Sequence, residues 1–219
     1  AAAVFENGGK LFYIGAGSSG RLGILDASEC PCTYGIPPDM VQGLIAGGDA
    51  ALRQAVEGAE DDETSGIEQL RAAGFSAHDM LVGITASGSA PYVQSALQYA
   101  RSLGSVTAVI SCNKETPIFQ FADYAIFLPV GPEIIAGSTR MKAGTAQKLA
   151  LNMITTTAMI KLGKVYNNVM IDLTPVNSKL IERSKRLIAE ITGCSAPYAA
   201  QIFEESGRKI RIAVVMASL

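Results

Sequence analysis

The chain has 219 residues, of which 48% are hydrophobic and 17% charged, with a formal net charge of −2. That content supports a sizeable core and excludes global disorder. The near-neutral balance offers no electrostatic footprint for nucleic acid or an anionic membrane, and the lack of tryptophan removes the best base-stacking platform.

In chain order, "AAAVFENGGK" opens without methionine, basic n-region or long apolar run, so no signal peptide is expected. Short apolar runs ending in glycine, serine or proline follow: "LFYIG" (11–15), "GLIAGG" (43–48), "MLVGITASG" (80–88), "VTAVIS" (106–111) and "YAIFLPVGP" (124–132). Helical patterns lie between most of them, as at 62–73 and 92–103. Alternating strands and helices predict an α/β fold, a parallel sheet flanked by helices on both faces. After Pro132 the character changes. "AGSTRMKAGTAQKLALNMITTTAMIKLGK" reads as a loop entering one long, largely buried helix, and "TPVNSKLIERSKRLIAEITG" as an amphipathic second helix. "SAPYAAQIFEESGRKIRIAVVMAS" reads as two short helices around Gly207. The expected division is a sheet domain over 1–165 and a helical segment and subdomain over 166–219, truncated relative to a longer chain. The apolar stretch from Leu149 to Leu162 is too short to span a bilayer.

Cys30, Cys32, Cys112 and Cys194, with the single His78, lack zinc-ligand spacing and read as reduced thiols of a cytosolic protein. No metal is expected. His78, in "FSAHDML", reads as a surface or capping residue.

Three loops are candidate anion sites. Gly15-Ala16-Gly17-Ser18-Ser19-Gly20-Arg21 has dinucleotide-loop spacing and would expose backbone N–H groups at a helix start. A dinucleotide site also needs an acidic residue at the end of the next strand, roughly 20 residues on. Here Asp39 precedes that strand, so the confirming context fails. Ser18 and Ser19 can serve a phosphate or cap the helix. "ITASGSAP" offers Thr85, Ser87, Gly88 and Ser89 between a strand and a helix. "AGSTRMKAGTAQK" offers Ser138, Thr139, Arg140 and Lys142. Cations at a helix N-terminus oppose its dipole, which an anionic ligand would compensate. Three such loops at the strand ends of one parallel sheet converge on one crevice and point to a sugar phosphate.

The segments "FYIGAGSSGRLGILDASECPCTYG", "VQGLIAGGDAALRQAVEGAEDD", "GITASGSAPYV" and "AGSTRMKAGTAQKLALNM" resemble the sugar isomerase (SIS) fold and, more closely, the N-acetylmuramic acid 6-phosphate etherases. "NVMIDL" and "NSKLIERSKRLI" extend the similarity over nearly the whole chain. The resemblance implies a five-stranded flavodoxin-like sheet, a homodimer and no cofactor. It implies cleavage of the D-lactyl ether of a sugar phosphate to N-acetylglucosamine 6-phosphate and D-lactate, in cytoplasmic cell-wall sugar recycling. Its two acidic residues match Glu29 and Glu60. Many SIS phosphate loops close with a threonine where this chain has Ala90, so Ser89 or the first loop would supply that hydroxyl.

Such chemistry needs two acidic groups with separated pKa values. Glu29, among Leu25, Ala27, Cys30 and Pro31, is expected to be buried and to act as the acid on lactate. Glu60 is then the base at C2, although the reverse assignment also fits, and its acidic run Glu60-Asp61-Asp62-Glu63 also reads as a solvated helix start. Asp26 could orient Glu29 or cap the helix. An unbroken helix from Ser19 to Glu29 separates its ends by roughly 15 Å, which a hexose phosphate does not bridge. Three solutions remain: phosphate on the Ser87 loop, a bend near Pro31, or acids from a partner subunit, with a dimer-interface site preferred. The rivals are an aldose–ketose isomerase of the same fold and a sugar-phosphate-sensing regulatory module.

Overall fold

Unbroken apolar strands are what a sheet covered on both faces requires. In the computed structural model, which describes residues 1–219, β1 (Leu11–Gly15) and β3 (Met80–Thr85) are buried along their whole length. With β2 (Val41–Ile45), β4 (Val106–Ser111) and β5 (Tyr124–Phe127) they form a sheet of order β2-β1-β3-β4-β5, every pairing parallel. This is the five-stranded flavodoxin-like order, whose direction of winding reverses between β1 and β3. Gly15 is in register with Ile84, so the chain leaves both strands at the same sheet edge.

The connections are α2 (Gly17–Tyr34), α3 (Ala50–Arg53), a 3-10 turn at Ala59–Asp61, α4 (Ser65–Ala72) and α5 (Pro91–Ser102), after a short α1 (Ala2–Glu6). A second 3-10 turn, Pro117–Phe121, precedes β5, and α6 (Lys142–Lys161) follows it. On one sheet face Phe12, Ile14, Leu81 and Val109 pack against Leu70, Tyr92, Val93 and Leu97. Phe12 meets Phe75 edge-on, with ring centroids 5.2 Å apart. Each such fully buried side chain stabilises the fold by about 1.5–3 kcal/mol.

Two compact units divide the chain, Ala1–Ser28 with Pro38–Ala158, and Glu29–Pro37 with Met159–Leu219. The helical unit thus begins before residue 165, the division expected from sequence. It contains the hairpin β6 (Val165–Tyr166) and β7 (Val169–Met170), then α7 (Ser178–Thr192), α8 (Ala196–Glu205) and α9 (Ile210–Ser218). Ile188, Ile202, Phe203, Ile210 and Ala213 form its apolar centre. Asn177 caps α7, its Oδ1 accepting from the Leu180 N–H at 2.9 Å. Asp172 takes two hydrogen bonds from Arg211, at 2.9 and 2.8 Å, and an ion pair from Lys164 at 3.1 Å. Burial pushes the Asp172 carboxyl up, but these two cations together hold it below its usual range.

One expectation about α6 needs correction. The helix is not largely buried: Leu149, Met153 and Ile160 are 53%, 62% and 52% exposed. Their spacing puts them along one helical face, left without cover. β5 is also shorter than the apolar run suggests, and it is exposed as an edge strand. No helix is long and apolar enough to cross a membrane. His78 is exposed in the turn before β3.

Candidate functional site

The first loop is built around close packing. A Cβ at Gly20 would lie 2.5 Å from the Gly15 carbonyl oxygen and 2.6 Å from Ile45 Cγ1, so only glycine lets α2 start this near β1 and β2. Ser18 is half-buried and lines a cavity of about 700 Å³ with Arg21, Arg140, Thr145 and Lys148. Ser19 faces the other way. It is buried, and its hydroxyl donates to Gln147 Oε1 at 3.0 Å, so it acts as an anchor to α6 in this structure. The Gln147 Nε2 is buried without a hydrogen-bond partner. Asp39 pairs with Lys10 at 2.6 Å ahead of β1 and β2, at the sheet edge away from these loops, which agrees with rejection of a dinucleotide site.

On its other side the loop borders a smaller cavity of about 180 Å³. Ala16, Gly17, Arg21, Ala46, Glu57 and Glu60 are among its lining residues. The acidic run seen in the sequence therefore splits by role. Asp62 accepts from the N–H groups of Thr64 and Ser65 at the start of α4, which holds its carboxyl below the usual range. Glu60 instead faces the cavity beside the glycine turn. Arg21 lines both cavities, giving its Nε to the Leu52 carbonyl at 3.3 Å.

The second loop, after β3, reaches the same sheet edge. Thr85 is buried, and its Oγ1 accepts from the Gly88 N–H at 3.0 Å. Gly88 has φ +82°, and a Cβ there would run into Thr116 Oγ1. That hydroxyl donates to the Gly88 carbonyl at 2.9 Å. Ser87 and Ser89 are exposed with their hydroxyls 2.8 Å apart, just before α5, where Ala90 is the cap position and makes no side-chain cap bond. The first turn of α5 is closed internally, with Pro91 lacking an N–H and the Val93 and Gln94 N–H groups donating to the Ala90 carbonyl, so the two exposed hydroxyls are what this loop offers a tetrahedral anion.

In the third loop Ser138 is half-buried, while Thr139, Arg140 and Lys142 are exposed. The N-terminal charge of α6 is met from within the chain. Glu133 accepts from the Lys142 and Ala143 N–H groups at 3.0 and 2.9 Å, and these bonds hold its carboxyl below the usual range. Lys142 Nζ donates to the Pro132 carbonyl at 3.0 Å. The expectation that this helix start awaits an anionic ligand is therefore corrected. Only Arg140 from this loop enters the 700 Å³ cavity, with Lys148 one to two turns on. The first and third loops thus share a cavity, and the second lies outside it.

Glu29 departs from its expected setting. α2 runs unbroken through Pro31 to Tyr34, and Glu29 is exposed. The buried neighbours, Ala27 and Cys30, occupy another face, while Leu25, four residues earlier, is 44% exposed. At 1.5 Å per residue it stands about 15 Å along the helix from Ser19. Asp26 lies mid-way along α2, three residues before Glu29. It is buried, and it accepts hydrogen bonds from Tyr13 Oη at 2.9 Å, Asn152 Nδ2 at 2.6 Å and Thr155 Oγ1 at 3.1 Å. Lys148, Gln147 and Glu57 went unnoticed in the sequence, where only the run "KAGTAQK" hinted at the first two.

Two family models match the chain, the glucokinase regulatory protein N-terminal SIS domain over residues 2–101 and the SIS domain over residues 63–157. The N-acetylmuramic acid 6-phosphate etherase of Geobacillus thermodenitrificans is 52% identical over 214 residues, covering 98% of this chain and 72% of that protein. The one from Exiguobacterium sp. is 56% identical over 214 residues, covering 98% and 73%. A phosphoheptose isomerase structure from Francisella tularensis matches with a TM-score of 0.51 at 19% identity, over 73% of this chain and 81% of that one. At that identity the likeness carries the fold alone.

Proposed function

The chain belongs to the N-acetylmuramic acid 6-phosphate etherase family, and we propose that it is a lyase cleaving the D-lactyl ether of N-acetylmuramic acid 6-phosphate. The products are N-acetylglucosamine 6-phosphate and D-lactate. The observation that carries this reading within the structure is the small cavity where Glu60, Arg21 and the Gly17 turn meet. Glu60, the expected base, lines it together with the glycine turn and Arg21, the cation expected to contact the substrate.

An ether oxygen leaves poorly unless it is protonated and the carbon skeleton accepts the electrons. Opening of the sugar ring supplies an aldehyde that acidifies the C2 proton. In the proposed sequence Glu60 removes that proton, the C2=C3 double bond forms and the C3–O bond breaks. Glu29 protonates the departing lactate oxygen. Water then adds at C3 and the proton returns to C2, so the sum is substrate plus water. Each step is a proton transfer of the kind that carboxylates catalyse. Ser87, Gly88 and Ser89, at the start of α5, are assigned to the phosphate, with Thr85 shaping the loop. Ser18, Arg21 and Arg140 are assigned to the rest of the substrate, and Ser19, Ser138, Thr139 and Lys142 support the loops that carry them.

We further assign a homodimer with the site near its interface. The uncovered apolar face of α6, with Leu149, Met153 and Ile160, supports this, as does the exposed Leu25 on α2. A partner's carboxylate would also answer the span between the loops and Glu29.

The test is release of D-lactate from N-acetylmuramic acid 6-phosphate, matched mole for mole by N-acetylglucosamine 6-phosphate. Binding of the sugar phosphate with no lactate would favour the regulatory reading, and conversion to a ketose would favour the isomerase.

A further inference from the structure

Arg21, Arg140 and Lys148 gather three cations at one cavity, and Arg21 also borders the smaller cavity that Glu57 and Glu60 line. All three line the cavity of about 700 Å³ with Ser18, Ser28 and Thr145, and no carboxylate lines it. None of the three is in an ion pair. Like charges gathered around one concave space repel one another and favour an anionic occupant.

Under the etherase reading, on which this inference rests, the substrate carries two anions of different shape. The paired, exposed hydroxyls of Ser87 and Ser89 before α5 suit tetrahedral phosphate oxygens. Guanidinium forks match the planar carboxylate of the lactyl group, which they hold bidentately. The same cavity has an apolar wall of Leu22, Ile24, Leu25 and Leu52, suited to the lactyl methyl. The product sugar lacks both groups.

We propose that Arg21, Arg140 and Lys148 form the subsite for the lactyl carboxylate, so that the enzyme selects the lactyl ether over its own product sugar. Lys148 thereby becomes a substrate-binding residue. Cleavage removes the carboxylate from the sugar, which weakens the hold on the product without any change of conformation.

The test compares KM for N-acetylmuramic acid 6-phosphate with the inhibition constant of N-acetylglucosamine 6-phosphate in wild type, R140A, K148A and K148R. Both alanine variants remove exposed side chains, so the fold is retained. Each should raise KM roughly tenfold, the loss of one charge-assisted hydrogen bond at a partly solvated site, with the product constant unchanged. K148R should recover most of the loss. A parallel rise in both constants would overturn the proposal, because the cations would then hold the phosphate. An unchanged KM would overturn it as well. Should wild type release no lactate, the etherase reading fails on its own. Calorimetric titration with the two sugar phosphates then judges the subsite: wild type must still prefer the lactyl-bearing sugar, and K148A must lose that preference.

Discussion

Replacing Asp26 by alanine should cost stability, not chemistry. The carboxylate is buried between β1, α2 and α6, where Tyr13, Asn152 and Thr155 donate to it at 2.9, 2.6 and 3.1 Å. The three losses are unequal. Thr155 Oγ1 already lies 3.3 Å from the Leu151 carbonyl and can turn to it, and half-buried Asn152 can regain solvent. Tyr13 is fully buried and has the most to lose. At about 1–3 kcal/mol for each strongly affected buried donor, the expected loss for Asp26→Ala is about 2–4 kcal/mol. Urea denaturation followed by circular dichroism measures it, alone and in a cycle with Tyr13→Phe. The pair should couple by about 1 kcal/mol or more, since the phenylalanine removes the donor that the alanine strands. Asp26→Ala within about 1 kcal/mol of wild type, or no coupling to Tyr13→Phe, would show that this network contributes little to stability.

Gly88→Ala meets both a left-handed backbone and Thr116 Oγ1, and should cost about 2–4 kcal/mol in the same denaturation assay while raising KM; a neutral variant would show that the loop shifts freely. Glu29→Gln and Glu60→Gln should each lower the rate of lactate release by roughly 10²- to 10⁴-fold while leaving product binding intact, as measured by titration calorimetry. Unchanged turnover in either would remove that glutamate from the mechanism. For Asp172, whose carboxyl is held below its ordinary value of 3.8, the ion pairs with Arg211 and Lys164 stabilise the folded form above that value. That stability is lost as pH falls through the lower, folded-state value. Asp172→Asn should therefore be less stable than wild type at neutral pH, with the gap closing below pH 3.8 in acid-denaturation curves; a gap independent of pH would assign the effect to packing.

The sheet was legible because its central strands are continuous apolar runs with glycine or hydroxyl residues at their ends, as "LFYIG" and "MLVGIT" show. The loops were legible for the same reason. What composition does not encode is direction. Ser18 and Ser19 are adjacent and alike, yet one lines a cavity while the other is buried against Gln147, 128 residues away. Apolar neighbours suggested a buried Glu29, but on a helix neighbours in sequence point to different faces, and its own face is exposed. Glu133 as the cap of α6 was also hidden, since a carboxylate nine residues before the amide it serves has no local signature. Asp26 of "DASECP" read as orienting Glu29 or capping the helix, and its carboxylate lies in a buried hydrogen-bond network with Tyr13 and Asn152.

The proposed course of the reaction is elimination followed by addition of water at C3. Turnover of N-acetylmuramic acid 6-phosphate in heavy-oxygen water, with mass spectrometry of both products, tests it most directly. The expected result is one heavy oxygen on C3 of N-acetylglucosamine 6-phosphate and none in D-lactate. Label in the lactate with an unlabelled sugar would contradict it, because the bond broken would then lie on the lactyl side of the ether.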